Sequence, residues 1–204
     1  MRDESFEIFV EAMGEPVKVR SALESVIEKY RGVLPDVLLD YWRSEGWCGY
    51  ADGLFWTVNP DDYKHLLDMW LSDTKFSSID NYHVIARSAF GDLYAWGEKY
   101  GRKIVVSCPG NYIVSLADEA DVPCDDPDQA IQSFFAMSDP EDYDMEDSDG
   151  MPLFERAVQK LGRLSDDEMY GFQPALVLGG SVTLQNLVKL DLEVHLTILH
   201  QLSR

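Results

Sequence analysis

Residues 53–97 constrain the fold more than any other part of the chain, because strand and helix signals alternate there over a short distance. Residues 54–58 (LFWTV) have the β-branched and aromatic composition of a buried strand. Asn59-Pro60 then supplies a helix cap and a first-turn proline. Apolar runs on both sides of Gly91-Asp92 predict two strands joined by a tight turn. The stretch predicts a strand, a helix and a β-hairpin that pack together.

Three helices are predicted before this stretch. Apolar residues recur at helical spacing from Phe6 to Met13. Ser21 and Glu24 have the spacing of a capping box for a second helix. Pro35 begins a third, which Gly46 ends.

Two further strands, at 103–108 and 111–116, are predicted around the turn signal Pro109-Gly110. Strands joined by tight turns form antiparallel sheets. The predicted fold class is therefore α+β, with N-terminal helices and a mainly antiparallel sheet of about five strands.

The C-terminal part is predicted to be smaller and mostly helical. Helices are expected at 127–137 and 151–161, and a short turn at 166–170. Residues 190–202 fit both strand and helix spacing, but their length and Asp191 as an N-cap favour a helix.

Acidic residues are concentrated in one segment. The net charge is −20, and residues 118–149 hold thirteen of the 37 acids and no Lys or Arg. This composition predicts a division into an α+β domain (1–117), an acidic connecting segment with one helix (118–150) and a C-terminal subdomain (151–204). The charge argues against nucleic acid or an anionic membrane as a partner and allows a basic protein.

Signals for export and membrane insertion are lacking in the sequence. The N-terminal residues have no uninterrupted apolar run of the signal-peptide kind, and no window approaches a membrane span. Three cysteines far apart in sequence fit reduced thiols. A cytoplasmic location is expected.

Motifs for catalysis or metal binding are not found. An EF-hand placed on Gly150 would need acidic ligands at Met145 and Arg156, and His195 and His200 do not have the spacing of a helical metal pair. Nucleophile elbows and phosphate-binding glycine loops are also missing. We therefore expect no enzyme activity, no catalytic residue, no metal and no cofactor.

Two stretches resemble known domains. The segments GLFWTVNPDDY, DMWL and ARSAFGDLYAWGEKYG resemble the GAD-like domain. The C-terminal stretch beginning MYGFQPALVLGG resembles the domain found beside it in type VI secretion immunity proteins. The resemblance implies a cytoplasmic protein that binds and blocks a secreted nuclease toxin, with no catalytic residues to carry over.

A nuclease presents a basic cleft to phosphates, which acidic residues of an inhibitor can occupy. We expect a monomer that forms a 1:1 complex with a DNase toxin. The predicted contact residues are Asp139, Glu141, Asp142, Tyr143, Asp144, Glu146, Asp147, Asp149, Trp47, Tyr50 and Asp52.

Three other interpretations remain open at this point. The acidic segment is equally well explained as a solvated linker between subdomains. The protein could instead be a small-molecule or regulatory module with a pocket between the sheet and the C-terminal subdomain, lined by Trp47, Tyr50 and Trp56. An uncharacterised enzyme would require converging titratable groups that the sequence does not show.

Overall fold

The structure is a computed structural model and describes residues 2–101, 103–115 and 121–203. The helices are α1 Glu4–Met13, α2 Glu24–Tyr30, α3 Asp36–Glu45, α4 Pro60–Leu71, α5 Phe76–Ile79, α6 Pro127–Ala136, α7 Phe154–Leu161 and α8 Leu192–Leu202. The strands are β1 Val17–Arg20, β2 Trp47–Tyr50, β3 Phe55–Thr57, β4 Tyr82–Ser88, β5 Asp92–Gly97, β6 Lys103–Ser107, β7 Tyr112–Val114, β8 Glu168–Phe172 and β9 Leu187–Asp191. The predicted α+β class is confirmed.

Strands β1 to β7 form one antiparallel sheet in sequence order, and β8 and β9 form a separate hairpin. The main sheet thus has seven strands, two more than predicted. The additional strands are β1 and β2 at one edge, joined through the pair Arg20 and Trp47. β1 is short and mostly exposed, so it carries no hydrophobic pattern that the sequence could reveal.

Each face of the sheet is covered by different helices, because side chains alternate along a strand. Phe55 and its partner Tyr50 point to the face where α1 and α6 pack. Phe135 of α6 is fully buried there and contacts the rings of Phe6 and Phe9. Helix α6 therefore belongs to the core of the main sheet.

Trp56, the residue after Phe55, points to the opposite face. There α4 and the C-terminal elements β8, β9 and α8 pack. Trp70 of α4 contacts His200 of α8 at a ring distance of 5.3 Å. Tyr170 of β8 donates its main-chain N–H to Ala89 O at 2.9 Å, which ties the hairpin to the end of β4.

The local signals identified most helix starts correctly. Asn59 caps α4 by accepting from Asp61 N, and Asp191 caps α8 by accepting from Val194 N at 2.9 Å. Residues 192–202 form α8, so the helix favoured for 190–202 is confirmed, and the strand β9 that precedes it takes up only residues 190 and 191 of that segment. The predicted cap of Ser21 was wrong, because α2 begins at Glu24 after Leu23 with no side-chain cap.

The predicted turn at 166–170 was also wrong, since most of it lies in β8. This strand pairs with the distant β9, through Glu168 opposite Asp191, and that pairing leaves no local signal. The end of the strand predicted at 111–116, the boundary at 117 and the acids Asp118 and Glu119 lie outside the described residues. The three-part domain division stays a prediction.

Candidate functional site

Some aspartates of the acidic segment form hydrogen bonds with main-chain N–H groups of the same segment. Asp139 and Asp142 form a capping box around a short 3-10 turn, Pro140–Asp142. Asp139 accepts from Glu141 N at 3.0 Å, and Asp142 accepts from Asp139 N at 3.2 Å. Both side chains stay exposed, so they keep acceptor capacity for a partner.

Asp144 and Asp147 join the acidic segment to α7. Asp144 accepts the main-chain N–H groups of Leu153 at 3.2 Å and Phe154 at 2.9 Å, where the helix begins. Burial raises the pKa of Asp144, and these hydrogen bonds oppose that shift. Asp147 accepts from Arg156 Nη1 at 2.6 Å, which lowers its pKa. These two carboxylates therefore organise the segment.

The side chains of three predicted contact residues do not take part in stabilising the segment. Glu141, Glu146 and Asp149 are exposed. Within the described part of the chain, none of their side chains forms a hydrogen bond or an ion pair, unlike those of Asp144 and Asp147. These three free carboxylates belong to a segment that the neighbouring, hydrogen-bonded aspartates stabilise.

The predicted aromatic contact residues lie in the core. Tyr143 packs on Phe55 and Tyr94, and its hydroxyl lies 2.5 Å from that of Ser138. Trp47 is 5% exposed and Tyr50 is fully buried. As placed here, these three side chains offer little surface to a partner, and Tyr143 instead anchors the acidic segment to the sheet.

Asp52, the remaining predicted residue, is exposed and lies in a short 3-10 turn after β2 with a φ of 58°. It forms an ion pair with Arg163 at 3.0 Å, which links the turn to the segment after α7. Among the described residues, no hydrogen bond or ion pair joins Asp52 to the acidic segment.

A cleft of about 210 Å³ lies between the main sheet, α4 and the C-terminal elements, where a pocket was predicted. Trp47 and Trp56 line it as predicted, but Tyr50 does not, because it points to the other face. Its acidic lining residues are Asp62, Asp166, Asp167, Asp191 and Glu193. The sequence predicted only a helix-capping role for one of these acids, Asp191, since the cleft forms between remote segments.

The cleft and the acidic segment are on opposite sides of the sheet. Tyr143 anchors the segment on Phe55, whereas the neighbouring Trp56 lines the cleft. Adjacent residues of a strand point to opposite faces. The two acidic surfaces are therefore separate.

Behind Trp56 lies a fully buried arginine, Arg87. Its guanidinium carbon is 4.8 Å from the Trp56 ring centroid, and its Nη2 donates to Asp166 O at 2.9 Å. Nη1 donates to Ser88 O at 3.2 Å. The main sheet thereby holds the chain at Asp166 beside the cleft.

Two of the cysteines among the described residues, Cys48 and Cys108, are buried. Burial raises the pKa of the Cys48 and Cys108 thiols, and thiols of that kind are poorly nucleophilic. Among the described residues, no group of three His, Cys, Asp or Glu side chains is arranged to hold a metal ion. No helix in the same residues is long and apolar enough to cross a membrane.

Comparisons with known proteins agree with both resemblances. Residues 4–110 match the family model of the GAD-like domain. Residues 128–203 match the model described as T6SS immunity protein Tdi1, C-terminal. The crystal structure of Atu4351 from Agrobacterium tumefaciens is similar at a TM-score of 0.83 and 25% identity, over 96% of this chain and 88% of that one. No functionally curated protein matches the chain.

Proposed function

The chain belongs to the GAD-like domain family, and we propose that it is a cytoplasmic immunity protein that binds and neutralises a secreted nuclease toxin, a DNase. The match of residues 128–203 to the C-terminal domain of a type VI secretion immunity protein supports the immunity role. That range includes residues 128–150 of the acidic segment.

The proposal that the toxin is a nuclease is supported by the different roles of the acids in the acidic segment. Asp144 and Asp147 hold the segment in place through main-chain and Arg156 contacts. The side chains of Glu141, Glu146 and Asp149 are exposed. A DNA-binding cleft is lined with Lys and Arg, which such charges complement.

The inhibitor acts as a monomer in a 1:1 complex, without catalysis or cofactor. Acidic residues enter the basic cleft and exclude the phosphate backbone. Long-range attraction between the two proteins speeds association, and salt weakens it. Light scattering of the mixed proteins after size exclusion measures the stoichiometry.

Co-expression with the candidate toxin and titration calorimetry test this function. The chain is expected to restore growth of toxin-producing cells and to bind the toxin. The variant Glu141→Gln, Glu146→Gln, Asp149→Gln should bind at least tenfold more weakly, with a smaller salt dependence.

A matched control removes three charges from the exposed side of α1, by replacing Glu4, Glu7 and Glu11 with Gln. Its affinity for the toxin should stay within twofold of the original chain. Equal affinity of both triple variants would overturn the role of the acidic segment. Failure of the original chain to bind or protect would overturn the immunity function.

A further inference from the structure

We propose that a cavity between α6 and strands β5 to β7 binds a small apolar molecule that carries a carboxylate group. This binding activity goes beyond the proposed immunity function and does not depend on it. The cavity has a volume of about 540 Å³, which is in the usual range for small-molecule sites. It lies on the face of the sheet that carries Phe55, because Tyr94 packs on Phe55 and also lines the cavity.

The strand side of the cavity is apolar because of how the strands are paired. Residues opposite each other on neighbouring antiparallel strands project to the same face of the sheet. Tyr94 of β5 is paired with Val105 of β6, and Val105 is paired with Val114 of β7. All three side chains line the cavity, and Val114 is 53% exposed. They form one apolar surface that reaches the edge of the sheet.

Helix α6 forms the facing wall. Ala130 and Phe134 lie four residues apart, on one side of the helix, and both line the cavity. Met137 follows the helix, lines the cavity and is 79% exposed. An apolar ligand between the two walls removes the side chains of Val114 and Met137 from water, which favours its binding.

The amino group of Lys103 supplies a positive charge to the cavity. Its Nζ lies 4.2 Å from the ring centroid of Phe134 and 6.0 Å from that of Tyr94. Lys103 is paired with Trp96, whose side chain also lines the cavity. Burial of the amine among these rings lowers the pKa of Lys103, and the charge of Asp142 opposes that shift. In the described part of the chain, no carboxylate forms an ion pair with this amine, so it is available to an anion.

The charges around the cavity favour an anion with a single charge. A hydrogen bond from an ammonium to a carboxylate is about twice as strong as one between neutral groups. Asp142 also lines the cavity, and it accepts from Asp139 N at 3.2 Å, which keeps its negative charge beside the site. That charge repels phosphate and other dianions more than a single carboxylate. The apolar walls and the ammonium therefore fit a medium-chain fatty acid or a similar apolar acid.

One end of the cavity is fixed before a ligand binds. Tyr143 lines it and packs on Tyr94 and Phe55. The Tyr143 hydroxyl lies 2.5 Å from that of Ser138, which donates to Phe134 O at 2.8 Å. A site fixed in advance loses less freedom when it binds.

Titration with decanoate below its micellar concentration, followed by the methyl resonances of Val114 and Met137 in NMR, tests the site. Saturable shifts are expected. Decanol has the same chain without the charge, so it should bind about tenfold more weakly. Lys103→Met should remove this preference, by weakening decanoate about tenfold and changing decanol less than about twofold. Lys75→Met should change neither affinity; it is the matched control, because Lys75 lies 5.3 Å from the ring centroid of Phe76, outside the cavity.

Two further variants separate the roles of volume and charge. Ala130→Leu fills the cavity from α6 and should weaken both ligands about fivefold or more. Asp142→Asn keeps an acceptor for Asp139 N and removes the opposing charge. It should strengthen decanoate binding about twofold or more and leave decanol unchanged.

Equal affinities of decanoate and decanol for the original chain, or an equal loss of both in Lys103→Met, would overturn the proposal. The first comparison needs no variant, so it stands even where a substitution prevents folding. Shifts that appear only when the toxin is added, or no saturable shift with either ligand, would also overturn it. None of these results changes the immunity function, which is tested by toxin binding and protection alone.

Discussion

At the residue scale, Gly46 illustrates how one backbone position supports a wall of the cleft. It follows α3 with a φ of 77°, and a Cβ atom added to it would lie 2.5 Å from Arg20 O. This close approach brings Arg20 of β1 beside Trp47 of β2. Only glycine meets both requirements, the positive φ and the missing side chain.

Gly46→Ala is therefore expected to lower the free energy of unfolding by about 2–4 kcal/mol, since left-handed strain and steric overlap add. Gly14→Ala is the control, because Gly14 follows α1 with a similar backbone conformation (φ 78°, ψ 173°, against 77° and −159° at Gly46) but has nothing within 4 Å of the added atom. It should lose about 1–2 kcal/mol from the backbone alone. Urea unfolding measures both, and equal losses would show that the contact with Arg20 does not matter.

Asp92 supplies a pH-dependent prediction. It begins β5 after the tight turn and accepts from the Ser88 hydroxyl at 3.1 Å. Burial raises its pKa above the ordinary 3.8, against the effect of its hydrogen bonds to Ser107 and Ser88. The folded protein thus binds this proton more tightly than the unfolded chain, and the ionised carboxylate weakens folding above the raised pKa.

Asp92→Asn should accordingly stabilise the protein at pH 7. The gain should shrink as the pH falls through the raised pKa and vanish below 3.8, where the carboxyl group of Asp92 is neutral in both the folded and the unfolded chain. Urea unfolding of both proteins from pH 7 down to about pH 4 measures the difference. A gain that is the same at every pH would contradict the assignment.

At the element scale, α7 depends on an acid of the segment before it. Asp144 accepts two N–H groups at the start of the helix, from Leu153 and Phe154. Asp144→Ala should lower the free energy of unfolding by about 1–2 kcal/mol, as loss of a cap does. Glu141→Gln, which removes a free acid nearby, should change it by less than about 0.5 kcal/mol. Equal effects in urea unfolding would show that the Asp144 hydrogen bonds do not stabilise the start of α7.

Elements with local signals were predictable, and elements that depend on remote partners were not. Asn59-Pro60 and Asp191 identify their helices, because a cap acts on the next turn of the chain. Strands β1 and β8 gain their stability from β2 and β9, which lie far away in sequence. The acidic segment was identifiable from composition, but which acids are free depends on contacts made after folding.

At the scale of the whole molecule, acidic residues form two separate surfaces on opposite sides of one core. The acidic segment is anchored on the face of Phe55, and the cleft lies on the face of Trp56. The sequence predicted the acidic segment and a pocket at Trp47 and Trp56, but not the four C-terminal acids of that cleft, because they follow its tryptophans by more than a hundred positions. The core that joins them includes α6, which follows the GAD-like range in sequence.

Phe135→Ala tests whether this core unfolds as one unit. The Phe135 ring of α6 is fully buried against Phe6, Phe9 and Tyr41 of the N-terminal helices. Its removal should lower the free energy of unfolding by about 3–5 kcal/mol.

All five tryptophans lie before residue 97, so their fluorescence reports on the GAD-like part, and hydrogen exchange in α8 reports on the C-terminal part. Within the original chain, the two signals should change together at one urea concentration, and the same should hold within the variant. Separate transitions, with α8 unaffected by the substitution, would show that the two family-matched parts fold independently.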